Sequence, residues 1–166
     1  FPANYALVST LAADLGHTML FPSLCGGGTL HLISRDLATD PEGLAGYFQQ
    51  HEIDCLKIVP SHLATLMMNA RPERVLPRRR LVLGGEASTP DLIATVHRLA
   101  PECRIFNHYG PTETTVGALT NELDDPVTPA NVPLGTPLAN TQVYVLDATL
   151  EPVPVGVKGE IYIGGE

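Results

Sequence analysis

A lysine stands inside a short apolar run, CLKIVPS at 55–61, flanked by Cys55, Leu56, Ile58 and Val59. Lysine is seldom buried unless something pairs with it. Lys57 therefore either snorkels from a strand end to solvent or meets an anion in a pocket. Farther on, NHYGPTETT at 107–115 puts a ring, hydroxyls and a carboxylate around Gly110 and Pro111, which force a turn. Tyr109, Thr112, Glu113 and Thr114 in such a turn suit a nucleotide: stacking for a base, donors for phosphate oxygens, a hard oxygen ligand for Mg²⁺. A capped turn with a core tyrosine accounts for the same residues equally well. Between these stretches lies Gly84–Gly85–Glu86. It is either a simple tight turn or a place where a flat ligand or a phosphate approaches the main chain closely.

The surrounding pattern alternates between strand and helix. TLHLI (29–33) is a short apolar run; Asp40 and Pro41 then form a helix start, with Leu44, Tyr47 and Phe48 at helical spacing. The run from Cys55 to Val59 is stopped by Pro60, and Ser61 is expected to cap a second helix presenting Leu63, Leu66 and Met67. RLVL (80–83) breaks at Gly84–Gly85, and Thr89–Pro90 opens a third helix with Leu92, Val96 and Leu99 on one face. RIFNHY (104–109) is the next strand. Apolar strands separated by helices predict a parallel sheet covered on both faces. Ligands of such sheets bind at the loops after the carboxyl ends of the strands, so 57–61, 83–86 and 107–113 are the places to look. Beyond the proline-rich DDPVTPANVP (124–133), QVYVL (142–146) and EIYIG (160–164) read as short strands without helices. Two units are expected: an α/β unit over 1–123 and the start of a small β-barrel over 124–166.

A net charge of −8 over 166 residues argues against nucleic acid, which wants a basic surface. Arg71, Arg74, Arg78, Arg79 and Arg80 cluster beside Pro72 and Pro77 and read as a solvated loop. Cys25, Cys55 and Cys103 show no CxxC spacing and the histidines no HxxxH pattern. Small core thiols and a reducing cytoplasm are expected, without a zinc site or a disulfide framework. No apolar stretch approaches a membrane span. The chain opens on Phe1 and closes on GEIYIGGE, which suggests a piece of a larger protein.

NHYGPTETT resembles the Tyr-Gly-Pro-Thr-Glu core motif of the adenylate-forming superfamily, specifically the adenylation domains of nonribosomal peptide synthetases. GEIYIGGE (159–166) is similar to a later core motif of that family, VPLGTPLANTQVYVLD (132–147) to the strand region between, and VLGGEA (82–87) to its Gly-Gly-Glu turn. LAADLGHTMLFPSLCGGGTLHLI (11–33) looks like the stretch carrying the amino-acid-binding aspartate, although Ala13 stands where the family commonly has an aromatic residue. The resemblance implies a flavodoxin-like parallel sheet with flanking helices, followed by a β-barrel subdomain. It implies that Asn107 and Tyr109 hold adenine, that Thr112 contacts the α-phosphate, and that Glu113 helps bind Mg²⁺. Gly84, Gly85 and Glu86 would line the floor between adenine and substrate, and Asp14 would receive the substrate's α-ammonium.

By the same resemblance the side-chain pocket is lined by Asp14, Leu15, Thr18, Lys57, Val82, Gly84, His108, Val116 and Gly117. This series is similar to that of aspartate-activating domains. Independently, Lys57 and His108 are expected at neighbouring strand ends, converging on one spot, where a substrate carboxylate would relieve the cost of a buried cation. His108 would be positively charged if that carboxylate raises its pKa. His17 and His62 are lesser candidates.

The resemblance implies ATP and Mg²⁺, with 4′-phosphopantetheine on a partner carrier domain and a condensation domain in the same assembly line. The phosphate loop, the ribose-binding aspartate and the catalytic lysine of the family are not matched within 1–166, so this stretch alone is expected to be inactive. The other readings are activation of asparagine, glutamate or a 3-substituted aspartate; an acyl- or aryl-CoA ligase, which Asp14 disfavours; and a non-catalytic α/β binding module.

Overall fold

A computed structural model describes residues 3–114, 117–124 and 131–165. The elements run β1 (Asn4–Leu7), α1 (His17–Cys25), β2 (Thr29–Leu32), α2 (Arg35–Ala38), α3 (Pro41–His51), β3 (Cys55–Ile58) and α4 (Pro60–Leu66). There follow β4 (Arg80–Gly84), α5 (Pro90–Leu99), β5 (Arg104–Tyr109), β6 (Leu119–Glu122), β7 (Thr136–Pro137), β8 (Thr141–Leu146) and β9 (Glu160–Gly165).

Among the described residues one sheet has the order β2-β1-β3-β4-β5-β6-β7, and β8 with β9 forms a separate two-stranded ribbon. The first five strands are parallel, in the 2-1-3-4-5 order of flavodoxin-like sheets. β6 and β7 extend the sheet antiparallel at its far edge. The α/β fold expected from the sequence is thus the fold observed.

Local chemistry fixes the helix starts. Asp40 accepts from the Glu42 N–H at 3.2 Å with Pro41 in the first turn, and Thr89 accepts from the Leu92 N–H at 3.3 Å with Pro90 next to it. α4 differs from expectation. It begins at Pro60, one residue before Ser61, because the proline ring already holds the helical φ and needs no N–H. Ser61 then lies inside the first turn and gives its N–H to Glu86 Oε2 at 3.3 Å.

One face of the sheet is fully covered. Leu56, Ile58, Leu81, Leu83 and Ile105 pack against Leu44 and Phe48 of α3, Leu63 and Leu66 of α4, and Ile93 and Val96 of α5. On α5 the deepest residues are Ile93 and Val96, with Leu92 and Leu99 at the margins of the apolar stripe.

The other face corrects the expectation of full cover. α1 seals only a part of it, where Met19 meets Leu7, Cys55 and Val82. Toward the amino ends of β4 and β5, Arg80 and Arg104 remain exposed, their guanidiniums 5.5 and 5.2 Å from the Phe106 ring centre. Arg104 forks onto the Glu122 carboxylate, and Arg78 pairs with Glu52 at 2.6 Å. Cys55 and Cys103 are core thiols, but Cys25, at the end of α1, is exposed. Among the described residues no helix is long and apolar enough to cross a membrane.

Candidate functional site

Lys57 is buried, with 3% of its surface exposed, which excludes the snorkelling alternative. Strand alternation points it to the α1 side of the sheet, at the carboxyl end of β3. Its ammonium donates to Thr18 Oγ1 on α1 at 2.9 Å and lies 3.4 Å from His108 Nδ1 on β5. Burial pulls the Lys57 pKa down to about 8, and the nearby Asp14 charge opposes that shift. His108 is pushed down to about 4, first by burial and then by the Lys57 ammonium, so its imidazole is neutral near pH 7.

β3 and β5 are not neighbours; β4 runs between them, placing Gly84 beside His108 in register. The expectation of neighbouring strand ends is corrected: the long lysine side chain reaches His108 across β4, passing Gly84. A Cβ there would stand 2.8 Å from the His108 carbonyl oxygen and 3.5 Å from Lys57 Cε. The glycine thus lets β4 lie tight against the His108 carbonyl, while the lysine passes it at ordinary van der Waals distance. Gly117 has a matching role, because a Cβ on it would lie 2.5 Å from His108 Cε1. Gly117 therefore lies against the imidazole, and Gly84 against the His108 backbone.

Asp14 and Leu15 belong to a 3₁₀ turn, Asp14–Gly16, that leads into α1. Leu15 Cδ1 lies 3.7 Å from where a Gly85 Cβ would stand, so this turn arches over the glycine pair. Gly85 has φ +85°, a left-handed conformation that favours glycine. Val82, buried on β4, lines a cleft of about 350 Å³ shared with Thr18, Met19, Phe106 and His108. Asp14, Leu15, Thr18, Lys57, Val82, Gly84, His108 and Gly117 thus gather on one side of the sheet's carboxyl edge. Val116 lies outside the described residues.

The second group falls on the opposite side of the same edge. A cavity of about 620 Å³ is bounded by Gly85, Glu86, Asn107, Tyr109, Gly110 and Pro111, and by Val132 and Leu134 from the later chain. His108 also borders it, so the two cavities adjoin. Asn107 is buried and donates one amide hydrogen to the Pro133 carbonyl at 2.9 Å, leaving its oxygen and second hydrogen for another partner. Thr112 and Glu113 stand exposed in the turn, which Thr114 closes by donating to the Pro111 carbonyl. A single exposed carboxylate is what a hydrated Mg²⁺ shared with phosphate oxygens takes from a protein. Among the described residues no three His, Cys, Asp or Glu side chains converge on a metal. The Glu86 carboxylate accepts from α4.

The wall contributed by 131–134 was not foreseeable from the sequence, because nothing in VPLG signals a return to the sheet. The sharp strand-to-proline transitions on either side offered only a linker. His17 packs its ring on Phe21 at 5.3 Å, and His62 Nε2 bonds the Ala38 carbonyl at 2.7 Å, tying α4 to α2. Neither enters the site.

The model of the family described as "AMP-binding enzyme" matches residues 3–166. The chain is 37% identical to surfactin synthase subunit 2 of Bacillus subtilis (strain 168), over 96% of its own length but 5% of that protein. It is 36% identical to bacitracin synthase 1 of Bacillus licheniformis, over 98% of its length and 3% of the relative's. Among solved structures, a four-domain nonribosomal peptide synthetase, holo-AB3403, bound to AMP and glycine, superposes with a TM-score of 0.85 at 31% identity. That match covers 99% of this chain and 12% of the synthetase.

Proposed function

The chain belongs to the AMP-binding enzyme family, and we propose that it is the central portion of an amino-acid-activating adenylation domain of a nonribosomal peptide synthetase, selective for aspartate. In this reading residues 1–123 are the α/β unit, its larger pocket closed by Val132 and Leu134, and 124–166 begin the β-barrel subdomain. In the intact cytoplasmic protein, aspartate and ATP give aspartyl-AMP and pyrophosphate. An α-carboxylate oxygen bonds to the α-phosphorus as the bond to the departing pyrophosphate breaks. The thiol of phosphopantetheine on a carrier domain then takes the aminoacyl group as a thioester and AMP leaves, the carrier's neighbour in the assembly line being a condensation domain. The chemistry rests on positioning and on charge stabilisation at the α-phosphate.

Asn107 and Tyr109 hold the adenine against Gly84, Gly85 and Glu86. Thr112 meets the α-phosphate, Glu113 supports Mg²⁺, and Asp14 receives the α-ammonium. Lys57 and His108 meet the side-chain carboxylate, within a lining that includes Leu15, Thr18, Val82, Val116 and Gly117. The observation that carries aspartate is the buried Lys57 ammonium, held by Thr18 and His108 and flanked by no carboxylate at ion-pair distance among the described residues. A substrate carboxylate supplies the missing charge. The test is amino-acid-dependent ATP–pyrophosphate exchange by the full-length parent across a panel. Aspartate should exceed asparagine, glutamate and apolar amino acids at least tenfold, corresponding to about 1.4 kcal/mol of discrimination. Equal rates for leucine and aspartate would remove the assignment.

A further inference from the structure

The outer face of α1 is apolar. Met19 and Ser23 turn into the sheet and are buried, while Leu20, Phe21 and Leu24 stand on the opposite side at helical spacing, with the His17 ring against Phe21. Phe21 is 55% exposed and Leu24 66%. The helix HTMLFPSLC contains no Asp, Glu, Lys or Arg, so none of these charged side chains faces water along it. α3 and α5 are built differently, carrying Glu42, Gln49 and Gln50, and Asp91 and Arg98, on their exposed sides. A helix that is apolar all round belongs in a covered position, and an exposed apolar stripe marks an interaction surface. Leu32 of β2, 60% exposed, lies on the same side of the sheet, since Leu30 two residues earlier packs toward Met19 of α1.

We propose that this stripe is the docking surface for an apolar helical segment that precedes Phe1 in the same adenylation domain of the parent protein. The inference rests on reading the chain as the central portion of such a domain. The path of the chain into the sheet identifies the occupant. Ala3 and Tyr5 pack on the cluster of Leu7, Met19, Cys55 and Val82, which is the α1 side. The Ala3 carbonyl accepts from the Thr29 N–H at 2.9 Å and would stand 2.6 Å from a Cβ on Gly28, three residues after α1 ends at Cys25. The preceding polypeptide therefore reaches the sheet beside the carboxyl end of α1. A segment tethered there meets the stripe at an effective concentration of about millimolar, which a second copy or a separate domain does not match without contacts of its own.

The chemistry of the stripe specifies the segment. His17 is its one polar side chain, so the partner presents aliphatic or aromatic side chains, spaced as on one face of a helix. α1 also carries Thr18, which accepts from the Lys57 ammonium, and it follows directly on the Asp14–Gly16 turn. Covering the outside of α1 therefore holds the acceptor of the buried lysine in place, which joins the docking surface to the amino-acid pocket.

The test uses the full-length parent. With the photoreactive residue benzoylphenylalanine in place of Leu24, irradiation and peptide mass spectrometry should find a cross-link within one chain to the roughly 200 residues before Phe1, a domain's length. In a Cys25→Ser background, the thiols of Phe21→Cys and, as a second position, Leu24→Cys should react with a maleimide about 30-fold more slowly than that of Gln50→Cys on the exposed side of α3, since only a locally opened state reacts. A cross-link between two molecules, a cross-link to any other part of the parent, or labelling at 21 and 24 as fast as at 50 overturns the proposal. Failure of the functional reading shows separately, as absence of pyrophosphate exchange with every amino acid, and the cross-link is read without any activity.

Discussion

Lys57→Met replaces a buried ammonium with an uncharged side chain of similar length, and it should have opposite effects on stability and activity. The drop of the Lys57 pKa from 10.5 to about 8 reports how strongly burial disfavours its charge. At about 1.36 kcal/mol per pH unit this amounts to roughly 3 kcal/mol at neutral pH. Against it stand the bonds to Thr18 and His108, at about 1 kcal/mol each, which methionine cannot make. Methionine should therefore raise the unfolding free energy at pH 7 by roughly 1–2 kcal/mol. Aspartate-dependent pyrophosphate exchange should fall by about 30- to 1000-fold, since a charge-assisted bond in a dry site is worth roughly 2–4 kcal/mol. The sign with pH follows from linkage. Between about pH 8 and 10.5 the unfolded lysine binds a proton that the folded one has released, so the stability of the native protein should rise through that window. In Lys57→Met that rise should be absent. Chemical denaturation at pH 7, 8, 9 and 10, with exchange assayed on the same samples, measures both. A variant that is destabilised at pH 7 yet activates aspartate at the native rate would refute the account of a strained cation waiting for a carboxylate.

Other outcomes are expected. Gly117→Ala drives a methyl to 2.5 Å from His108 Cε1 and should cut aspartate kcat/KM by at least tenfold with the KM for ATP unchanged, read by exchange kinetics. Tyr109→Ala should do the reverse, raising the KM for ATP about fivefold for a lost stacking contact of about 1 kcal/mol while the amino-acid preference is kept. His108, with its folded pKa lowered from 6.5 to about 4, contributes stability that is complete above pH 6.5 and is lost as pH falls toward 4. His108→Gln should show a shallower acid limb in thermal unfolding over that range. Thr89→Ala removes the side chain that caps α5 and should cost about 1 kcal/mol by denaturant titration without altering substrate choice.

Much of the scaffold was legible in the chain because it depends on local rules. The continuous apolar runs of β3 and β4, the Asp40–Pro41 and Thr89–Pro90 starts and the glycine breaks after strands together require a parallel sheet with helical connections. The same logic placed Lys57, Gly84 and His108 at the carboxyl edge. Elsewhere local rules were silent. β1 is four residues long and lies between β2 and β3, a non-local position that its own sequence does not announce. β6, antiparallel beside β5, follows a turn whose direction is set by the sheet it joins. Ser61 mimics a cap because a serine after a proline satisfies the pattern, although the proline has already begun the helix.

What the order of residues determined by itself was the chemistry available at the sheet's edge: one amine, one imidazole, one acid and a nucleotide-compatible turn. What the tertiary structure alone decided was how these groups meet. Lys57 and His108 sit on strands separated by β4 and touch because the lysine side chain is long enough to cross it beside Gly84. Two cavities fall on opposite sides of one edge because consecutive residues of β5 alternate, turning His108 one way and Asn107 and Tyr109 the other. The burial that lowers both pKa values, and so leaves a cation beside a neutral ring, comes from packing α1 onto strands distant in the chain. Residue types fix which charges are possible; only three-dimensional burial fixes which of them are held and at what cost.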